Sequence, residues 1–239
     1  MKRREKNLER YKRCSLAHFS RWRFYVHLFA LKVIFSPIVV LAYGPKVYGR
    51  ENVPKEGPFI VVSNHIDMFD PLQVSHAVNY PVAYVAKQEL FGNRLMAEFY
   101  RFMGCFALDR EHPSNASLRS AFNVLRSRAK WALGMFPEGT RSHTNELLPL
   151  KKGVGGIAQR ARQPVLPIRI QKNDAGRFSI TIGKLITDVS DAEVTHKKIS
   201  EALANLAAPI MEDEVSNLGA GNSPQSSTLG ALPTGSPTD

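Results

Sequence analysis

Cysteine is scarce in this chain: there are two in 239 residues, Cys14 and Cys105. Two thiols build no disulfide framework, and their spacing matches no metal-ligand pattern. They read as free thiols in a reducing compartment. Acidic residues are short as well, 21 Asp and Glu against 32 Lys and Arg, which leaves a formal charge of +11. The chain has no internal repeat and no nucleic-acid recognition motif, which argues against solenoids and sequence-reading DNA or RNA binders. It also lacks the strand–Gly-x-Ser-x-Gly–helix elbow of serine hydrolases.

What is present begins with the charge, which is uneven. Residues 1–23 carry nine Lys and Arg against Glu5 and Glu9, net +7. Residues 212–239 carry four acids and no Lys or Arg, net −4. A basic arm suits either nucleic acid or an anionic membrane. Next to it, residues 24–43 hold sixteen apolar positions in twenty, enough to span a bilayer. Lys32 sits near the middle of this run, where a charge costs roughly 3 kcal/mol on insertion scales. Pro37 is expected to kink or end the helix. The adjoining arm and run predict a helix that lies in or dips into a membrane; the bland alternative is an ordinary buried helix. The charged region is too long for a cleaved signal peptide.

After Tyr43 short apolar runs alternate with helix-like stretches. The pattern predicts strands at Phe59–Ser63, Val82–Ala86, Cys105–Asp109, Trp131–Phe136, Val165–Ile170 and Phe178–Ile182. It predicts helices at Pro71–Val78, Arg94–Met103, Asn115–Ala129, Gly153–Ala161 and Ala192–Met211. This alternation argues a layered α/β sheet. The division expected is an arm and membrane helix over 1–43, a catalytic domain over 44–211 and a disordered Ser/Gly/Pro-rich tail over 212–239.

Two short blocks carry the chemistry. Ser63-Asn64-His65 through Asp70-Pro71 follows the first apolar strand, and Phe136-Pro137-Glu138-Gly139-Thr140-Arg141-Ser142 follows another. Open α/β sheets place their chemistry at such strand ends. His65 and Asp70 are five apart, so they cannot share a helical face. A loop turning into a helix at Pro71 can fold the carboxylate onto the imidazole and fix its tautomer, leaving the other nitrogen to accept a proton. The plainer reading is a His in a polar turn with Asp70 as helix cap. Ser63 makes a Ser–His–Asp hydrolase conceivable, but the missing elbow favours a hydroxyl supplied by the substrate. Arg141 and Arg110, each at a strand end, suit a dianionic ligand. Either alone would read as a surface charge. Lys151, Lys152 and Gly153 open a helix whose N–H groups also favour anions.

The blocks resemble those of the glycerophospholipid acyltransferase family, the PlsC-like 1-acylglycerol-3-phosphate acyltransferases. His65-x-x-x-x-Asp70 matches that family's first motif. Gly104–Arg110 resembles its second, Phe136–Ser142 its third, and Val165-Leu166-Pro167-Ile168 its fourth. Ala86-Lys87-Gln88-Glu89-Leu90 resembles a segment between the first two. The likeness covers about residues 45–185, with Cys105, Ala107 and Gly155-Gly156 as departures.

The resemblance implies an α/β fold with a mixed central sheet flanked by helices and an N-terminal membrane-associated helical segment. It implies that His65 is a general base oriented by Asp70, working at the cytoplasmic face of a membrane. It further implies that Arg110, Glu138, Gly139, Thr140 and Arg141 hold a lysophospholipid acceptor, and that Lys87 stabilises charge near the thioester oxygen of acyl-CoA or acyl carrier protein. No cofactor, metal or nucleic acid is implied. The expected product is phosphatidic acid. Acylation of another lysophospholipid or of glycerol 3-phosphate stays open, as does a non-catalytic lipid-binding protein.

Overall fold

The computed structural model describes residues 10–108, 114–142 and 144–206. The basic arm before Arg10, Asp109, Arg110 and the acidic tail lie outside the described residues, as does the end of the expected last helix. The chain from Arg10 to Leu206 contributes to one compact unit.

Helix α1 spans Arg21–Tyr43. Strand β1 is Lys46–Tyr48, β2 Ile60–Ser63, and helix α2 Asp70–Val78. Strand β3 is Val82–Lys87, α3 Arg94–Phe102, β4 Phe106–Leu108 and α4 Asn115–Leu125. Strand β5 is Ala132–Met135, α5 Gly153–Ala161, β6 Val165–Lys172, β7 Phe178–Ile182 and α6 Ala192–Asn205. The strands form one seven-stranded sheet in the order β1-β7-β6-β2-β5-β3-β4. Every neighbouring pair is parallel except β6 and β7. The sheet is therefore mixed, as the resemblance implied.

The core follows from the period of two along each strand. Ile60 and Val62 of β2 enter one apolar cluster with Ala121 and Val124 of α4 and Ile157 of α5. Phe59 and Val61 enter the opposite one with Val74, Ala77 and Val78 of α2. Central parallel strands covered on both faces read as unbroken apolar runs, which is why β2, β5 and β6 stood out in the sequence.

Three expectations need correction. Strand β1 was missed because its three residues are short and only partly buried. Helix α4 stops at Leu125 rather than Ala129, because the chain must turn through Lys130 at φ +58 to bury Trp131. Of the two outcomes expected at Pro37, a kink or an end, the end does not occur, since α1 continues to Tyr43. Leu31–Phe35 form a π turn just before Pro37, and the Ser36 N–H bonds the Leu31 carbonyl. That wider turn makes room for a ring that would strike the Val33 carbonyl in a regular α-helix.

Helix α1 is apolar enough and long enough to cross a membrane, and only 17% of its most apolar window is buried. It is not a core helix. Yet it packs along the domain from end to end. Phe24 and His27 meet Trp131 edge-on at 6.0 and 4.7 Å, and Tyr43 meets Phe69 and Phe178 at 5.9 and 5.3 Å. The segment before it is fastened too. Phe19 is buried against Trp131, and the Cys14 backbone bonds Ser120 and Asn123 of α4.

Candidate functional site

The carboxyl ends of β2 and β5 place the two blocks side by side, with Val62 opposite Met135 in the last pair of the ladder. Strand β2 stops at Ser63, but its pairing does not. The Asn64 side chain accepts from the Ile170 N–H at 2.7 Å and donates to the Ile170 carbonyl at 2.8 Å. A side-chain amide thus stands in for one more peptide unit, and the main chain is free to leave the sheet at His65.

The turn that follows is built around Asp70, which is fully buried at the start of α2. Its Oδ2 accepts from the backbone N–H groups of Ile66 and Asp67 at 2.7 and 2.8 Å. The same oxygen lies 2.7 Å from His65 Nδ1. A carboxylate holding two backbone donors accepts the third hydrogen as well, so Nδ1 carries the proton and Nε2 has the free lone pair. The expected dyad is formed, and Asp70 also organises the turn.

The plane of the imidazole is set from below. Phe136 stacks on His65 with centroids 4.4 Å apart, and Tyr84 stacks on Phe136 at 5.8 Å. Gly134 makes this column fit: a Cβ there would meet the Tyr84 ring at 2.3 Å. The loop of the second block is tied to the first by the Ser142 N–H, which donates to the His65 carbonyl at 2.7 Å. Gly139 sits at φ +73 in that loop, against the Lys151 side chain, where a Cβ would meet Lys151 Cε at 2.8 Å. The positive φ favours glycine there; the end of the Lys151 side chain is flexible and can move aside.

Glu138 is buried, and its carboxylate oxygens have no side-chain partner; only the backbone N–H groups of His65 and Leu148 approach them. Burial pushes its pKa from 4.5 up to about 7; the backbone near His65 and the Arg169 charge pull it partly back. Because the folded value exceeds the unfolded one, folding favours the protonated acid, and stability is lost as pH rises from 4.5 through 7. Glu138→Gln is therefore expected to gain up to about 3 kcal/mol over the wild type at pH 8 and almost nothing at pH 4. Urea unfolding of both proteins at the two pH values measures this. An equal difference at both would remove the titration from the account.

Thr140 and Arg141 are exposed at the rim of the site. Arg110 lies outside the described residues. Lys87 ends β3, two strands from β2 and thus roughly 10 Å away across the sheet. It is exposed and pairs with Glu89 at 3.6 Å rather than touching the dyad. Ser63 is only 1% exposed, and its hydroxyl donates to the Asn64 carbonyl, so it is not presented as a nucleophile. A cavity of about 240 Å³ opens beside the His65 turn, lined by Ile66, Asp67, Asn145 and Lys172 among others. Its amides, the Lys172 cation and the Asp67 carboxylate make it too polar for an acyl chain. Among the described residues no three His, Cys, Asp or Glu side chains converge to hold a metal ion.

Sequence reasoning overlooked Arg169, which carries a buried guanidinium into the site beside Glu138. A lone Arg inside the apolar run Val165–Ile170 was the available signal.

Comparison with known proteins bears on this geometry. The acyltransferase family model matches residues 44–171. The 1-acyl-sn-glycerol-3-phosphate acyltransferase of Bacillus subtilis is 33% identical over 180 residues, 73% of this chain and 86% of that protein. The protein of the same description from Salmonella typhimurium is 27% identical over 186 residues, 74% of this chain and 75% of that one. The crystal structure of the 1-acyl-sn-glycerophosphate acyltransferase PlsC from Thermotoga maritima superimposes with a TM-score of 0.58 at 26% identity, covering 84% and 83% of the two chains.

Proposed function

The chain belongs to the acyltransferase family, and from that premise we propose that it acylates the free hydroxyl of 1-acylglycerol 3-phosphate to give phosphatidic acid. The observation that carries this reading is the contact of His65 Nδ1 with Asp70 Oδ2 at 2.7 Å, on a carboxylate already held by two backbone N–H groups. Headgroup binding alone needs no such base.

His65 Nε2 takes the proton of the acceptor hydroxyl as its oxygen attacks the carbonyl carbon of an acyl thioester. Asp70 balances the positive charge that develops on the ring. The tetrahedral adduct collapses, the C–S bond breaks, and the proton passes from His65 to the departing thiolate. The products are an ester and a free thiol, with no cofactor consumed. Arg141 and Arg110 hold the phosphate, with Glu138, Gly139 and Thr140 around the glycerol. Lys87 swings off Glu89, an exposed pair worth under about 1 kcal/mol, to meet the oxyanion.

The donor is acyl-CoA or acyl carrier protein, and the enzyme works on the cytoplasmic face of an anionic membrane. The packing of α1 along the domain supports a helix seated in the plane of that surface rather than one crossing it.

Purified protein in detergent, given lysophosphatidate and either donor, should release free thiol and diacyl product in equal amounts. Thiol release without acyl transfer would instead mean hydrolysis. Lipid binding without either would mean a non-catalytic protein. Running glycerol 3-phosphate and other lysophospholipids in parallel fixes the acceptor.

A further inference from the structure

Helix α3 is amphipathic with its apolar side turned outward. Ala97 is buried in a small cluster with Tyr11, Phe91 and Ala107. Leu95, Met96, Phe99 and Phe102, at spacings that put them on one helical face, are all exposed, Leu95 by 75%. Leu90, in the turn that leads into the helix, is exposed as well. Water-facing helices carry the reverse pattern, and a patch of this kind marks a binding surface.

The C-terminal half of α1 lies on the same side of the sheet as α3, against α2. In β3, Val82 and Tyr84 pack toward α2, and Ala86, which shares their parity, packs into the cluster under α3. Helix α1 meets α3 directly: the His27 and Phe102 rings are 5.4 Å apart, and Arg23 donates to the Arg101 and Phe102 carbonyls. Along α1 the outward stripe of Trp22, Tyr25, Phe29 and Val33 is exposed. Two apolar helix faces therefore lie side by side.

Charge identifies what covers them. Residues 10–23 and 94–102 hold seven Lys and Arg and one acid, Glu98. The basic segment is bound against α3: Arg10 pairs with Glu98 at 3.3 Å, Tyr11 donates to the same carboxylate, and Arg101 donates to the Arg10 carbonyl. A wide apolar face rimmed by cations fits an anionic bilayer surface. A second copy of this chain would bring the same cations face to face.

We propose that α3 is a second membrane-seating element, with Leu95, Met96, Phe99 and Phe102 buried among the acyl chains and headgroups of an anionic leaflet. The proposal rests on the membrane reading above for its occupant. Because α3 begins soon after Lys87, seating it brings the site's edge of the sheet to the headgroups. The chain is then held at two points, α1 and α3, rather than by one helix.

The test uses the full chain carrying Leu95→Gln and Phe99→Gln, neither residue being part of the site. Partition onto phosphatidylglycerol/phosphatidylcholine vesicles should weaken about tenfold or more, since two apolar side chains no longer enter the bilayer. Turnover of detergent-dispersed lysophosphatidate should not change, and equal melting temperatures would show an intact fold. In a separate Trp22→Phe, Phe99→Trp chain, brominated lipid should quench the new tryptophan, since Trp131 is fully buried. Unaltered partition of the double variant, or no quenching at position 99, overturns the proposal while leaving the function of the site untouched. A wild-type dimer in lipid-free buffer that the double variant abolishes also overturns it, in favour of a second copy. Wild-type protein that ignores vesicles altogether would instead sink the broader membrane reading.

Discussion

His65→Ala is expected to lower acyl transfer by about a thousandfold, the range that loss of a positioned general base usually costs. The fold should survive, because the imidazole is partly exposed and its removal strands no buried donor. Asp70 is different, and its two replacements separate its two tasks. In Asp70→Asn the amide oxygen can take the place of Oδ2 and keep all three contacts with His65, Ile66 and Asp67. Geometry and tautomer persist while the negative charge is gone. The rate should fall roughly a hundredfold, about 3 kcal/mol of stabilisation of the imidazolium. In Asp70→Ala the two backbone N–H groups lose their acceptor inside the fold, at about 1–3 kcal/mol each. That variant should lose stability as well as activity. Thiol release from acyl-CoA, with thermal melting of each variant, measures both effects. Near-normal turnover by folded His65→Ala would remove the dyad from the mechanism. Ser63→Ala should stay largely active; a trapped acyl-serine in the wild type would contradict the assignment.

Arg141→Ala is expected to raise the KM for lysophosphatidate about tenfold to a hundredfold, from the loss of one charge-assisted contact to phosphate. The KM for the thioester should change little. Arg141→Lys keeps the charge but not the two-pronged geometry and should fall between them. The comparison that decides is monoacylglycerol, which lacks the phosphate. If Arg141→Ala weakens that acceptor as much, the arginine does not read phosphate.

Much of this architecture was legible in the sequence for a definite reason. Strands β2, β5 and β6 are covered on both faces, so their apolar runs are unbroken, and the polar block after β2 or β5 reads as an interruption. The partnership of His65 with Asp70 was visible because Pro71 marks where the chain turns. The unread parts depended on contacts far apart in sequence. Strand β1 exists because β7, more than 130 residues later, offers it an edge. The roughly 10 Å between Lys87 and the dyad is set by strand order, which local patterns do not carry. The outward apolar face of α3 has the same periodicity as an inward one, so spacing alone gave the helix and not its orientation. Pro37 does not end the helix because the rule against proline applies to a regular α turn, and the chain supplies a π turn instead.

The catalytic loop can be viewed as a beam. One that leaves a strand end with nothing beyond it is a cantilever, and its tip wanders. Here the strip from Asn64 to Asp70 is clamped: at one end the Asn64 amide grips Ile170, at the other Asp70 is seated in α2, and between them the His65 carbonyl is pinned by Ser142. A beam held at both ends and propped near the load deflects little, so the imidazole is stiff without being buried. The prop belongs to the loop that carries Arg141. A load on that arginine therefore reaches the same strip that carries His65, and the two loops behave as one frame.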